Sequence, residues 1–155
     1  MTWTTLNFRK YKGKTLPQIL LLDPDWFFWM LPKFYGRLAL EAQALGRKAK
    51  AIKIPGPDRE TQVVEYQYEE GTRFLGFWFV QANSPVDTKW CRRRSYLDLS
   101  IVRSIRSYDK RGSRRLIRDF RRNYFGQSKR LTKERCEAFF SNEENFVNRT
   151  SVYSI

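Results

Sequence analysis

The chain has no histidine. That removes Ser-His-Asp and Cys-His nucleophilic catalysis, imidazole acid-base chemistry and histidine-ligated zinc. Cysteine is nearly absent too. Cys91 and Cys136 are too few and too far apart for a zinc finger, and two unpaired thiols in a reducing compartment are expected. Glycine is scarce, and Gly13, Gly36, Gly46 and Gly56 stand singly, so no glycine-rich phosphate loop forms and nucleotide hydrolysis is not expected. No apolar run reaches the roughly 20 residues of a membrane span, and residues 1–7 lack a charged region followed by a cleavable apolar one. A cytoplasmic, intracellular chain with no membrane partner and no cofactor is the expectation.

Acidic residues are also short. There are 16 Asp and Glu against 30 Lys and Arg, for a formal charge of +14. Hydrophobic residues still make up 41% and aromatics 16%, too much apolar material for a disordered basic tail. With 155 residues there is room for one ordinary domain, or for a small module joined to a larger one.

What is abundant is arginine, and it is concentrated. Between Lys89 and Arg122, cations including Arg92, Arg93, Arg94, Arg103, Arg106, Arg114, Arg115, Arg118 and Arg121 face only Asp98, Asp109 and Asp119. Such an excess repels itself unless a polyanion offsets it. The planar guanidinium bridges phosphate oxygens or stacks on a base, whereas a merely solubilising surface would do as well with lysine. Nucleic acid, DNA or RNA, is the partner this implies.

The pattern predicts an α+β chain: a small helical module over residues 1–46, a linker over 47–62, and a basic α+β domain over 63–155 in which a short antiparallel sheet precedes two or three helices. Residues 6–11 suit a short strand. Thr15 caps a helix with Pro17 in its first turn, Asp23 and Pro24 start a second with an apolar body running from Trp26 to Leu31, and a third spans residues 35–45. The Pro/Gly cluster from Ile54 to Asp58 reads as linker. Residues 63–68 alternate and residues 73–80 are aromatic and apolar on both faces, which reads as a hairpin with a buried second strand, and residues 96–105 suit a third strand. Ser113 is expected to cap a helix over residues 114–125 with Leu116, Ile117, Phe120 and Tyr124 inward. That would leave Arg114, Arg115, Arg118, Arg121 and Arg122 outside. Thr132 starts a further helix with Cys136, Phe139 and Phe140 inward, and Ser141 with Glu144 forms a capping box.

The run Phe8-Arg9-Lys10-Tyr11-Lys12-Gly13-Lys14-Thr15, followed by an apolar stretch and Asp23-Pro24-Asp25-Trp26-Phe27-Phe28-Trp29, resembles the small domain appended to the C-terminus of exodeoxyribonuclease X-like proteins and also seen alone in phage proteins. The resemblance covers about the first quarter of the chain, with Arg9 standing where that family usually has Gly. The exonuclease's acidic catalytic domain is not in this sequence, so the resemblance implies a DNA-processing context and no activity. Read from the residues themselves, Lys10, Lys12 and Lys14 alternate with Tyr11 and Gly13 and suit a phosphate contact beside an aromatic ring. A solvated turn whose tyrosine belongs to the core fits equally well.

One constellation fits catalysis. Pro57-Asp58 and Asp87-Thr88-Lys89 match the loose pattern of a metal-dependent nuclease, in which two carboxylates hold Mg²⁺ and a lysine assists. Pro85 just before Asp87 is out of place in the strand such a site requires. The expectation is therefore non-catalytic binding by an accessory subunit of a DNA- or RNA-processing, defence or mobile-element complex, working with other protein subunits. Phosphate contacts would come from Arg92, Arg93, Arg94, Arg114, Arg115, Arg118, Arg121 and Arg122, with Lys10, Lys12 and Lys14 as a second site. The alternatives are the nuclease using Asp58, Asp87 and Lys89, and an adaptor or inhibitor whose basic face meets an acidic protein.

Overall fold

The computed structural model describes residues 2–70, 72–86, 90–126 and 130–147. Thr15 and Asp23 open its first two helices. The Gln18 side chain accepts from the Thr15 amide at 3.0 Å, and Pro17 occupies the first turn of α1 (Leu16–Leu22), where no intrahelical partner for its nitrogen is needed. Asp23 accepts from the Trp26 amide at 3.2 Å at the start of α2 (Pro24–Met30). Pro32 turns the chain into a 3-10 turn (Leu31–Lys33) before α3 (Gly36–Ala49). The strand expected over residues 6–11 does not form. Arg9 at φ 63° and Gly13 at φ 87° fold that stretch back, so Leu6 bonds to Lys14 and Gly13 and only one bridge, Thr5 to Thr15, remains.

The hairpin is β1 (Gln62–Glu69) and β2 (Arg73–Gln81), and β3 (Cys91–Arg94) joins the other edge of β1 to give an antiparallel sheet in the order β2-β1-β3. The third strand is therefore not residues 96–105. Arg93 pairs with Glu65 along the ladder and its guanidinium meets the Glu65 carboxylate at 2.9 Å, which lets an arginine run lie in a sheet. Beyond it Asp98 accepts from the Ser100 amide at 2.8 Å, and the turn it stabilises buries Leu97 and Leu99 before α4 (Ile101–Arg106). The apolar spacing of residues 97–101 is that of a turn leading into a helix. β2 carries a bulge at Leu75, where Gln67 pairs with Gly76 and Tyr68 with Phe74. Gly76 adopts φ 137°, and a Cβ there would stand 3.1 Å from the Trp78 ring and 3.2 Å from an Asp119 carboxylate oxygen. Burial of β2 on both faces is only partial: Phe74 and Phe77 are buried, Trp78 is exposed.

The arginine-rich helix α5 (Lys110–Phe125) begins four residues earlier than its sequence suggests. Asp109, not Ser113, is its cap, accepting from the Gly112 amide at 2.9 Å, while Ser113 lies buried inside the helix and donates to the Lys110 carbonyl at 2.8 Å. Leu116 and Phe120 are buried as expected; Ile117 and Tyr124 are half-buried. Thr132 accepts from the Arg135 amide to start α6 (Lys133–Ser141), which turns Cys136, Phe139 and Phe140 inward. The capping role expected of Ser141 falls to Asn142, which accepts from the Glu144 amide over the 3-10 turn Glu143–Asn145.

One apolar cluster runs from Leu6 to Phe146. α1 packs on α6, α2 on α4, and α5 on β2. The segment expected as linker, residues 47–62, is partly woven into this cluster. Residues 47–49 close α3, Ile52 bridges to both Leu97 and Phe146, and Ala51, Ile52 and Ile54 are buried. Among the α2 aromatics, Phe27 is fully buried and Trp26 packs edge-on to Tyr11. Trp29 instead sits at the surface with the Lys33 ammonium 3.7 Å over its ring. Its position three residues beyond Trp26 suggests core, but the α2 stripe that faces inward is Phe27 and Met30. The result is the α+β class, with helices before and after the sheet, and no described helix is long and apolar enough to cross a membrane.

Candidate nucleic-acid interface

Along α5, the residues Arg114, Ile117, Arg118, Arg121, Arg122 and Phe125 fall at helical spacing on one side. They line a groove of about 730 Å³ closed by Leu22, Gly126, Arg130 and Leu131. Five guanidinium groups meet there, and among the described residues no carboxylate lines the groove. Leu22, Ile117, Phe125 and Leu131 share the lining, and apolar neighbours lower the local dielectric and strengthen the field of the cations beside them. Arg130, four residues past Gly126, was not among the expected phosphate ligands; in sequence it reads as one more cation of a solvated loop.

The arginines of α5 are alike in sequence but not in surroundings. Arg114 and Arg118 are exposed and engage no other described residue. Arg122 pairs with the buried Asp119 at 2.8 Å while about half its side chain stays in solvent. Arg121 donates through Nη2 to the Leu21 and Leu22 carbonyls at 3.0 and 3.1 Å. It thereby closes the end of α1, where unsatisfied carbonyls and the helix dipole favour a cation. Arg115 donates to the Leu75 carbonyl at 3.2 Å, holds the β2 bulge, and is not among the groove residues.

The β3 arginines divide in the same way. Arg93 pairs with Glu65 and also donates to the Ser84 and Pro85 carbonyls, so it clips the β2–β3 connection to the sheet. The hydrogen bond from Gln67, with the Arg93 charge adding to it, holds the Glu65 carboxyl below the ordinary glutamate range despite its burial. Arg92 and Arg94 are exposed. Arg103 and Arg106, both on α4, converge on Asp25 of α2, Arg103 at 3.4 Å. Much of the apparent arginine excess is thus consumed inside the fold, on carboxylates and on backbone carbonyls.

The second expected site is less uniformly basic. Tyr11 is buried and donates to Asp23 at 2.5 Å, and Lys10 lies 3.7 Å from the same carboxylate. Burial pushes the Tyr11 phenol up, and the Asp23 hydrogen bond pushes it further. Lys12 is exposed and Lys14 half-buried. Asp23 and Asp25 line the adjoining cleft together with Arg9, Lys10, Arg103 and Arg106, so an incoming phosphate would meet both signs of charge there.

Of the residues that fit a nuclease, Asp58 lies exposed in the turn ahead of β1, where its carbonyl accepts from the Thr61 amide and hydroxyl. Asp87 and Lys89 lie outside the described residues. Comparison with family models, with curated proteins and with solved structures gives no match to this chain.

Proposed function

We propose that this chain binds the sugar-phosphate backbone of DNA or RNA along the α5 groove, without cleaving it, as an accessory subunit of a larger nucleic-acid-processing, defence or mobile-element assembly. One observation carries the reading: five guanidinium groups line a single groove, and no carboxylate among the described residues does. The clamp of Arg121 on the α1 carbonyls also supports it, because a guanidinium already fixed in place loses little conformational freedom when a phosphate arrives. Arg114 and Arg118 supply unengaged charge beside it.

The DNA-processing context is drawn from the N-terminal resemblance. Arg9 occupies the position where the exodeoxyribonuclease X-like domains usually have Gly, and it adopts φ 63°, the left-handed region glycine favours. The turn keeps that conformation at a cost of about 1–2 kcal/mol for a residue with a Cβ.

The test is binding of labelled single- and double-stranded oligonucleotides of both kinds across a salt series, read by fluorescence anisotropy. Affinity should fall by about a decade or more between low and physiological ionic strength. The variant combining Arg114→Gln, Arg118→Gln and Arg130→Gln should lower the log–log salt slope by about one unit for each phosphate no longer neutralised. Absence of binding to every strand type would overturn the reading and favour an acidic protein partner. Mg²⁺-dependent cleavage abolished by Asp87→Ala would favour the nuclease.

A further inference from the structure

A second recess lies at the N-terminal end of α5, between the sheet and α4. It measures about 410 Å³, within the size range of small-ligand sites, and is lined by Tyr68, Trp90, Cys91, Arg92, Ile101, Ser104, Ile105 and Tyr108. Tyr108 is 41% exposed and Trp90 40% exposed. Tyr68 is held edge-on by Phe74 at 5.5 Å, and its amide donates to the Trp90 carbonyl at 2.9 Å, which ties the segment bearing the tryptophan to β1. Arg92, which pairs with Tyr66 along the β1–β3 ladder, is exposed, and its charge acts on both Tyr68 and Tyr108. Burial pushes the phenols of Tyr68 and Tyr108 up, and a protonated phenol offers a donor.

The chemistry of this lining selects among ligands. A cation suited to an aromatic cage would be repelled by Arg92. A purely apolar group would use none of the polar lining, leaving the guanidinium, the two phenols and the Ser104 hydroxyl to water. A flat ring with polar edges and an attached phosphate satisfies all of them. We propose that the recess takes one unpaired nucleobase of a bound strand, its face against Tyr108 and its phosphate met by Arg92. The inference rests on the reading of the α5 groove as a backbone track, since Tyr108 immediately precedes the Asp109 cap of that helix. It adds a preference for single-stranded or locally opened nucleic acid.

The test compares a labelled dT oligomer with an abasic oligomer of the same length and charge, by anisotropy at fixed salt. The parent should bind the dT oligomer about 5- to 150-fold more tightly, the worth of one stacked base. Tyr108→Ala should bring dT affinity down toward the abasic value and leave the abasic affinity unchanged. Ser104→Trp, which fills the recess from an exposed position and removes nothing, should do the same. Equal binding of the two oligomers by the parent overturns the base site and leaves the α5 groove standing. If neither oligomer binds, both readings are overturned. A Tyr108→Ala or Ser104→Trp protein that keeps its dT preference and the parent melting curve places base recognition elsewhere and sinks the proposal.

Discussion

The Asp109 carboxylate accepts from the backbone amide of Phe74, 35 residues away in sequence, at 2.8 Å. Its other oxygen caps α5 through the Gly112 amide. One side chain therefore fixes both the start of the arginine helix and its placement against β2. The hydrogen bonds from Phe74 and then Gly112 hold the carboxyl below the ordinary aspartate range.

Asp109→Ala removes both connections. Loss of a cap costs about 1 kcal/mol, and a hydrogen bond to a charged group adds about 1.5–3 kcal/mol, so a fall of roughly 2.5–4 kcal/mol is expected. The shift in urea midpoint at constant m-value measures it, and a change below about 0.5 kcal/mol would show that water replaces the carboxylate without loss.

Gly112 in the first turn of α5 is dictated by the same junction. A Cβ there would stand 2.8 Å from the Phe74 Cβ and closer still to the Asp109 carboxylate. Helix propensity alone would favour alanine by about 1 kcal/mol, but overpacking against an atom fixed to the backbone costs about 1–3 kcal/mol. Gly112→Ala should therefore lower the melting temperature, and a rise would mean that β2 can move aside.

Acid should destabilise the protein and neutral pH should not. Glu65 and Asp109 have folded pKa values depressed below their ordinary 4.5 and 3.8, so the unfolded chain binds protons first as pH falls. Their stabilisation is complete above those ordinary values and is lost as pH drops through the depressed ones. With no histidine, no side chain of ordinary pKa changes charge between about pH 5 and 8, and stability should be flat there. Chemical denaturation at a series of pH values checks both limbs, and Glu65→Gln should make the acid limb shallower.

Arg121 and Arg118 stand one turn apart and should behave differently. Arg121→Gln deprives two α1 carbonyls of a charged donor and should cost about 1–3 kcal/mol. Arg118→Gln should unfold within about 0.5 kcal/mol of the parent while lowering the salt slope of binding by about one unit. Melting and a salt titration on the two single variants separate the roles.

The difference between those two residues is also what a sequence hides. The N-terminal helices were legible because Thr15, Asp23 and their following prolines are local signals, and the hairpin because Val64, Tyr66 and Tyr68 alternate with Glu65 and Gln67 ahead of an aromatic, apolar run. β3 was not legible: Cys91–Arg94 has no apolar alternation, and the Glu65 carboxylate that pairs with Arg93 lies far away in sequence. The α5 cap was missed because Gly112 resembles a breaker, and its reason for being glycine lies across the fold at Phe74. The arginine side of α5 could be read from periodicity. Which guanidiniums would spend their donors on carbonyls could not, because the Leu21, Leu22 and Leu75 carbonyls become acceptors only when distant segments meet.

The packing of α1 on α6 has a consequence for biosynthesis. Within this chain α1 is synthesised long before the helix at residues 133–141 that packs on it, so part of its apolar cover arrives late. At usual translation rates of about 5–20 residues per second, the wait is roughly 5 to 20 s. For that interval a leucine-rich segment beside a strongly cationic nascent chain has to be shielded by other means, so yield in a cell should depend on chaperone supply and elongation speed as well as on the stability of the finished fold.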